Sequence, residues 1–159
     1  MSAIRVLRNL IATVLIVAAA LLLVSAPATA DGKDPWTKNQ TVLPADLMKE
    51  MGNQKTAPTV VFVGFKRLYG AGHIKGAQYH GTTGTEEGIK EFKSWATTQA
   101  KNANIVIYCG CCPMEKCPNI RPAFKALQEM GFTKVRVLLL PTDFASDWAD
   151  KGLPYDKGN

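Results

Sequence analysis

The sequence predicts an α/β domain whose central parallel sheet is covered by helices on both faces, and three observations carry that prediction. Thr59 to Phe65, Ile105 to Tyr108 and Val135 to Leu140 are short apolar runs rich in β-branched residues. They have strand length and no polar alternation, which fits strands buried on both faces. Between them lie segments with apolar residues at helical spacing, and the two kinds alternate along the chain, as parallel strands joined by crossover helices do.

The first thirty of the 159 residues read differently from the rest. Arg5 and Arg8 make a positive start, Leu10 to Val24 is apolar apart from Thr13, and Ala28-Thr29-Ala30 places small residues at the spacing a signal peptidase needs. Residues 1–30 are therefore expected to be a signal peptide cleaved after Ala30, which implies export, to the periplasm in a bacterial cell. The alternative is an uncleaved anchor, and only then is a membrane expected. The run is shorter than the roughly 20 apolar residues of a spanning helix. Without Arg5 and Arg8 the net charge falls from +6 to +4, with no basic run, so nucleic acid is not an expected partner.

Residues 31–40 (DGKDPWTKNQ) are polar apart from Trp36 and read as a flexible lead-in to a domain over 41–155, with 156–159 as a tail. Pro44 suits a first helical turn and Gly52 a stop, predicting a helix from Pro44 to Met51. Gly70 to Gly84 holds five glycines and reads as loop, with one short strand at Ala77 to Tyr79. Thr83 and Glu86 have the spacing of a capping box, and Ile89, Phe92, Trp95 and Ala96 continue a helix from Glu86 to Lys101. Ala123, Phe124, Leu127 and Met130 mark a helix ended by Gly131, and Phe144 and Trp148 share one face of a last short helix. Trp95, Phe124 and Trp148 are expected in the core.

All four cysteines, Cys109, Cys111, Cys112 and Cys117, fall within nine residues, so they do not tie distant parts of the fold together. A domain of this length needs no disulfides to fold. The loop from Cys109 to Cys117 joins the strand ending at Tyr108 to a helix expected to start between Cys117 and Ile120, and in open α/β sheets ligands bind beyond such strand ends. Free N–H groups at a helix start favour an anion, and with Lys116 and Arg121 nearby they are expected to lower the pKa of a loop thiol. Cys109 sits directly at the strand end and is the candidate nucleophile. Lys116 and Arg121 are candidate binders of an anionic substrate. For Cys111, Cys112 and Cys117 three readings stand: resolving thiols, partners in a loop disulfide, or ligands of a soft metal such as Cu(I) or Zn. The spacing C-x-C-C-x4-C lacks the paired C-x-x-C knuckles of an ordinary zinc site, so no metal and no cofactor are assigned. His73 is expected to fix its turn by hydrogen bonds.

The chain resembles the rhodanese-like domains. Ile105 to Cys109 (IVIYC) is similar to the family's strand ending in the active cysteine, and Gly72 to Ala77 (GHIKGA) to its GHIPGA signature. The helix ending LQEMGF at Phe132, the strand VRVLLL, and Asp147-Trp148 through Gly152-Leu153-Pro154 continue the likeness, which spans roughly residues 41–155. The resemblance implies a parallel sheet flanked by helices and a cysteine that takes sulfane sulfur from a donor such as thiosulfate as a persulfide, then passes it to a thiol or cyanide; the expected acceptor here is a thiol, small or on a protein. The chain departs from the family pattern twice. Val63-Gly64-Phe65 stands where an Asp-x-Arg pair is usual, and the cysteine loop is several residues longer than the usual Cys-x-x-G-x-R-S. The expected function is thus an exported sulfurtransferase acting through Cys109. The alternative is a non-catalytic, redox or metal-binding module built on the Cys109–Cys117 cluster.

Overall fold

The computed structural model describes residues 34–158, and the signal segment expected over 1–30 lies outside them. Seven strands and five α-helices follow in order: β1 (Thr41–Val42), α1 (Pro44–Met51), β2 (Thr59–Phe62), α2 (Lys66–Ala71), β3 (His73–Ile74), β4 (Gln78–Tyr79), α3 (Glu86–Thr97), β5 (Ile105–Tyr108), α4 (Ile120–Glu129), β6 (Val135–Leu138), α5 (Phe144–Asp147) and β7 (Tyr155–Asp156). Five strands form one wholly parallel sheet in the order β1-β6-β5-β2-β4. The mixed α/β architecture is the one expected.

Strand periodicity divides the core. On one face Val61, Ile105, Ile107, Cys109 and Val137 pack against Phe92 and Ala96 of α3 and Ala123, Phe124 and Leu127 of α4. On the other, Val60, Phe62, Val106, Tyr108 and Leu138 pack against Leu47 of α1, Ile74 and Trp148. Successive strand side chains point to opposite faces, so a sheet covered on both sides needs apolar residues at every position. All four residues of β5 are fully buried.

Several boundaries differ from expectation, each for a local reason. The second strand ends at Phe62 rather than Phe65: Val63 N–H still donates to Tyr108 O at 2.9 Å, and the chain then turns away at Gly64. Helix α3 ends at Thr97 rather than Lys101, where Thr97 and Thr98 hydroxyls donate back to the carbonyls of Ser94 and Trp95. Its N-cap is Thr85, which accepts from Gly88 N at 3.1 Å, not Thr83 of the expected capping box. Thr83 is buried, and its hydroxyl donates to Asn119 O at 2.6 Å. The last sheet strand stops at Leu138 because its partner β1 is two residues long.

Helix α2 was not foreseen, because its N-cap Phe65 offers no side-chain bond and the segment is short. Tertiary contacts hold it: Tyr69 OH donates to Ala77 O at 2.7 Å, and the rings of Tyr69 and His73 stack with centroids 3.7 Å apart. Both ends of the domain reach further than expected. Trp36, placed in the lead-in, packs edge-on against Phe124 at 5.6 Å, and Asp34 pairs with Arg121 at 2.5 Å. The expected tail contributes Asp156 to β7, which pairs antiparallel with β3. Phe124 and Trp148 are fully buried, whereas Trp95 is half-buried and stacks on His80 at 4.5 Å. Among the described residues no helix is long and apolar enough to cross a membrane.

Candidate functional site

Strand β2 leads on to β4 at one edge, while β5 leads to β6 in the opposite direction. The chain direction therefore reverses between β2 and β5, and the carboxyl ends of those two neighbours form the crevice where α/β sheets bind ligands. Cys109 follows β5 and Gly64 follows β2 by two residues. A side chain at Gly64 would put its Cβ 2.8 Å from Cys109 Sγ, so glycine there makes room for the sulfur.

Beyond Cys109 the loop doubles back through a 3-10 turn, Met114–Lys116, before α4 begins. Gly110 permits this with φ +66°. The fold brings the four sulfurs together. Those of Cys109, Cys111 and Cys117 all lie within 4.8 Å of one another, with Cys111 and Cys117 at 4.0 Å, and Cys112 Sγ stands 3.2 Å from Cys111 Sγ. Cys109 and Cys117 are buried, Cys111 and Cys112 half-buried.

The expected lowering of a loop thiol pKa falls on Cys117 rather than Cys109. The Cys109 thiol donates to the Cys117 sulfur, and the backbone N–H groups of Asn119 and Ile120 at the start of α4 add to this against the cost of burial, bringing Cys117 down to about 5. That same bond to Cys117, with burial, holds Cys109 protonated well above the ordinary thiol value. Burial, then the bond to Cys111, pushes Cys112 up to about 12. Of the pair, Cys117 is therefore the sulfur pulled toward the thiolate and Cys109 the one held toward the thiol.

Asn119 is the site residue that sequence reasoning missed. It is buried, its Oδ1 accepts from Gly84 N at 2.9 Å, and its Nδ2 donates to the sulfurs of Cys109 at 3.5 Å and Cys111 at 3.8 Å. An asparagine just before a helix reads as an ordinary N-cap, and that signal hid it. Its side chain makes no cap bond, since its Oδ1 is taken by Gly84 N–H and its Nδ2 faces the sulfurs.

A cleft of ≈ 440 Å³ opens beside Cys109, Gly110 and Cys111. Phe62, Leu68, Phe144 and Tyr155 wall it, and Asp143, Asp150 and Lys157 are its charged residues. Neither expected anion binder lines it. Lys116 is exposed, and Arg121 donates to the carbonyls of Met114 at 3.1 Å and Cys117 at 3.3 Å as well as to Asp34, so its fork braces the loop. His73 Nδ1 donates to Tyr69 O, 2.8 Å away, which fixes its turn, and His80 stacks on Trp95. The same turn is tied to β5 by Ile74 N–H, which donates to Tyr108 OH at 2.8 Å.

No family model and no curated protein matches the chain by sequence. Solved structures do. A rhodanese-like domain of the Alr3790 protein from Anabaena, solved by NMR, superposes with a TM-score of 0.54 at 20% identity over 74% of this chain and 79% of that one. A crystal structure of Alr3790 gives 0.54 and 20% over 74% and 92%. EanB, captured as a cysteine persulfide in a tetrahedral intermediate state with ergothioneine, gives 0.53 and 20% over 74% of this chain and 28% of its own. The parallel five-stranded sheet flanked by helices is the fold of the rhodanese-like domains.

Proposed function

We propose that the protein is a sulfurtransferase that moves sulfane sulfur through a persulfide on Cys109. The observation that carries this reading is a cysteine at the sheet's reversal point, lining an open cleft on one side and standing beside the Cys117 sulfur on the other. Support for the chemistry comes from the shared fold and from the cysteine persulfide that EanB, 28% of whose chain matches, was solved with.

The donor enters the cleft with its sulfane sulfur toward Cys109. As Cys109 attacks, its proton passes along the hydrogen bond to the Cys117 thiolate. A new S–S bond forms to the sulfane sulfur, the donor's own S–S bond breaks, and the electron pair leaves with the donor remnant, which takes the proton back from Cys117. Asn119 Nδ2 and the N–H groups of Asn119 and Ile120 hold the charge wherever it rests on the cluster. An acceptor thiolate then attacks the outer sulfur of the Cys109 persulfide and restores the thiol.

The walls of the cleft are mainly apolar, and its charged residues are two carboxylates and one lysine. That lining favours an organic persulfide over the thiosulfate dianion. Export of the chain belongs to the same proposal, on the strength of its first thirty residues.

The test incubates the reduced protein with thiosulfate and, separately, with glutathione persulfide, and locates added sulfur by mass spectrometry. One sulfur atom on Cys109, gained faster from the organic donor and lost in Cys109→Ser, is expected. No adduct with either donor would refute the reading and leave a redox module, for which Cys111 and Cys117 at 4.0 Å supply the disulfide partners.

A further inference from the structure

We infer that Cys109, Cys111 and Cys117 form a three-coordinate thiolate site for one Cu(I) ion. This goes beyond sulfur transfer and does not depend on it. Three sulfurs around one ion at metal–sulfur distances of about 2.3 Å stand about 4 Å apart. Here the three lie within 4.8 Å of each other and the Cys111–Cys117 pair at 4.0 Å, so small side-chain rotations close the triangle.

Two of the three sulfurs, those of Cys109 and Cys111, have the Asn119 Nδ2 donor aimed at them, at 3.5 and 3.8 Å, which is what thiolate ligands need around them. Cys117 lies just ahead of the first residues of α4. Asn119 is in turn held by Gly84 N–H and by the Thr83 hydroxyl on its carbonyl, so the donor is placed before any ion arrives.

The ion's identity follows from the surroundings. Apart from the open cleft, a void of ≈ 10 Å³ beside Cys109, Cys112 and Cys117 is walled by Met114, Ile120, Leu138 and Leu140. It offers at most about the space of one water molecule, so on this side an additional oxygen ligand has little room, while Cys109 and Cys111 also face the open cleft. Zinc in structural sites takes four ligands, whereas Cu(I) is selected by soft thiolates and thioethers, and Met114 supplies a thioether to this wall. Cys112 lies outside the triangle. The ion enters already as Cu(I), so binding exchanges thiol protons for metal and transfers no electron.

The experiment loads the reduced full-length protein with Cu(I) under anaerobic conditions, against bathocuproine disulfonate as competitor and with no sulfur donor present. Its outcome is therefore read separately from that of sulfur transfer. One copper per chain with three sulfur neighbours by X-ray absorption is expected, and this count needs no variant to fold. Cys112→Ser should bind as the parent does. Cys109→Ser, Cys111→Ser and Cys117→Ser should each lower affinity by at least about 100-fold, and Asn119→Leu by about tenfold, the scale of losing an outer-shell partner. Copper lost wholly to the competitor would overturn the site. So would four sulfurs around the ion with Cys112 required, or Zn(II) held as tightly as Cu(I) in the same competition.

Discussion

Two glycines set the position of the Cys109 sulfur, one by leaving space and one by its backbone. At Gly64 a methyl group would stand 2.8 Å from Cys109 Sγ and 2.7 Å from Phe62 Cζ, so either the sulfur or the ring must move. Gly64→Ala is expected to cost about 1–3 kcal/mol, the usual penalty of overpacking, and to slow sulfur loading of Cys109 at least tenfold. Urea titration and timed mass spectrometry read the two effects. Gly110 combines φ +66° with a would-be Cβ 3.0 Å from Phe144 N and 2.8 Å from Phe144 Cβ. Its carbonyl also accepts from Phe144 N at 3.0 Å. Gly110→Ala therefore meets both backbone strain and a clash with backbone, and a loss of at least about 1–3 kcal/mol is expected in the same titration.

Among the elements, α4 frames the site and the junction of α1 with β6 ties the far end of the sheet. The first residues of α4 present N–H groups to the Cys117 sulfur, and Pro122 in the first turn has no N–H to satisfy. At the opposite end of the sheet, Arg136 of β6 grips Glu50 of α1 with two bonds of 2.7 and 2.6 Å and also donates to Asn104 at 3.0 Å. The hydrogen bond from Arg136 holds Glu50 below the ordinary carboxylate value. A carboxyl depressed on folding contributes stability that is present above its unfolded pKa, about 4.3, and is lost as pH falls through the folded value. The pair is partly solvated, with side chains 22% and 32% exposed, so its contribution is about 1 kcal/mol. Glu50→Gln should accordingly destabilise the protein by about that amount at pH 7 and match the parent near pH 3. Urea unfolding at the two pH values checks it.

For the whole molecule, residues 34–158 fold as one body whose N-terminal segment is docked rather than loose. Trp36 meets Phe124 and lies under the Arg121 guanidinium at 5.7 Å, so the segment shields the same helix that carries the site. Trp36→Ala should release it, and limited trypsin digestion should then cut after Lys38 at least several-fold faster while the core resists. How much of this was legible depends on the range of the forces involved. The apolar runs at Val60 to Phe62, Ile105 to Tyr108 and Val135 to Leu138, and helix α1 between Pro44 and Gly52, were readable because periodicity and end signals are local. So was the strand-end position of Cys109. Helix α2, strand β7 and the docking of Trp36 were not, because each is held by residues distant in sequence. The cysteine loop shows the division most sharply. Its composition alone marked it as the place of sulfur chemistry. That three of its sulfurs converge, that Asn119 serves two of them, and that the lowered pKa falls on Cys117 rather than Cys109 were decided only when the tertiary fold brought α4, Gly84 and the end of β5 to one point. The pKa of a buried sulfur is set by the thiol beside it and by the N–H groups that reach it, and their arrangement is a property of three dimensions.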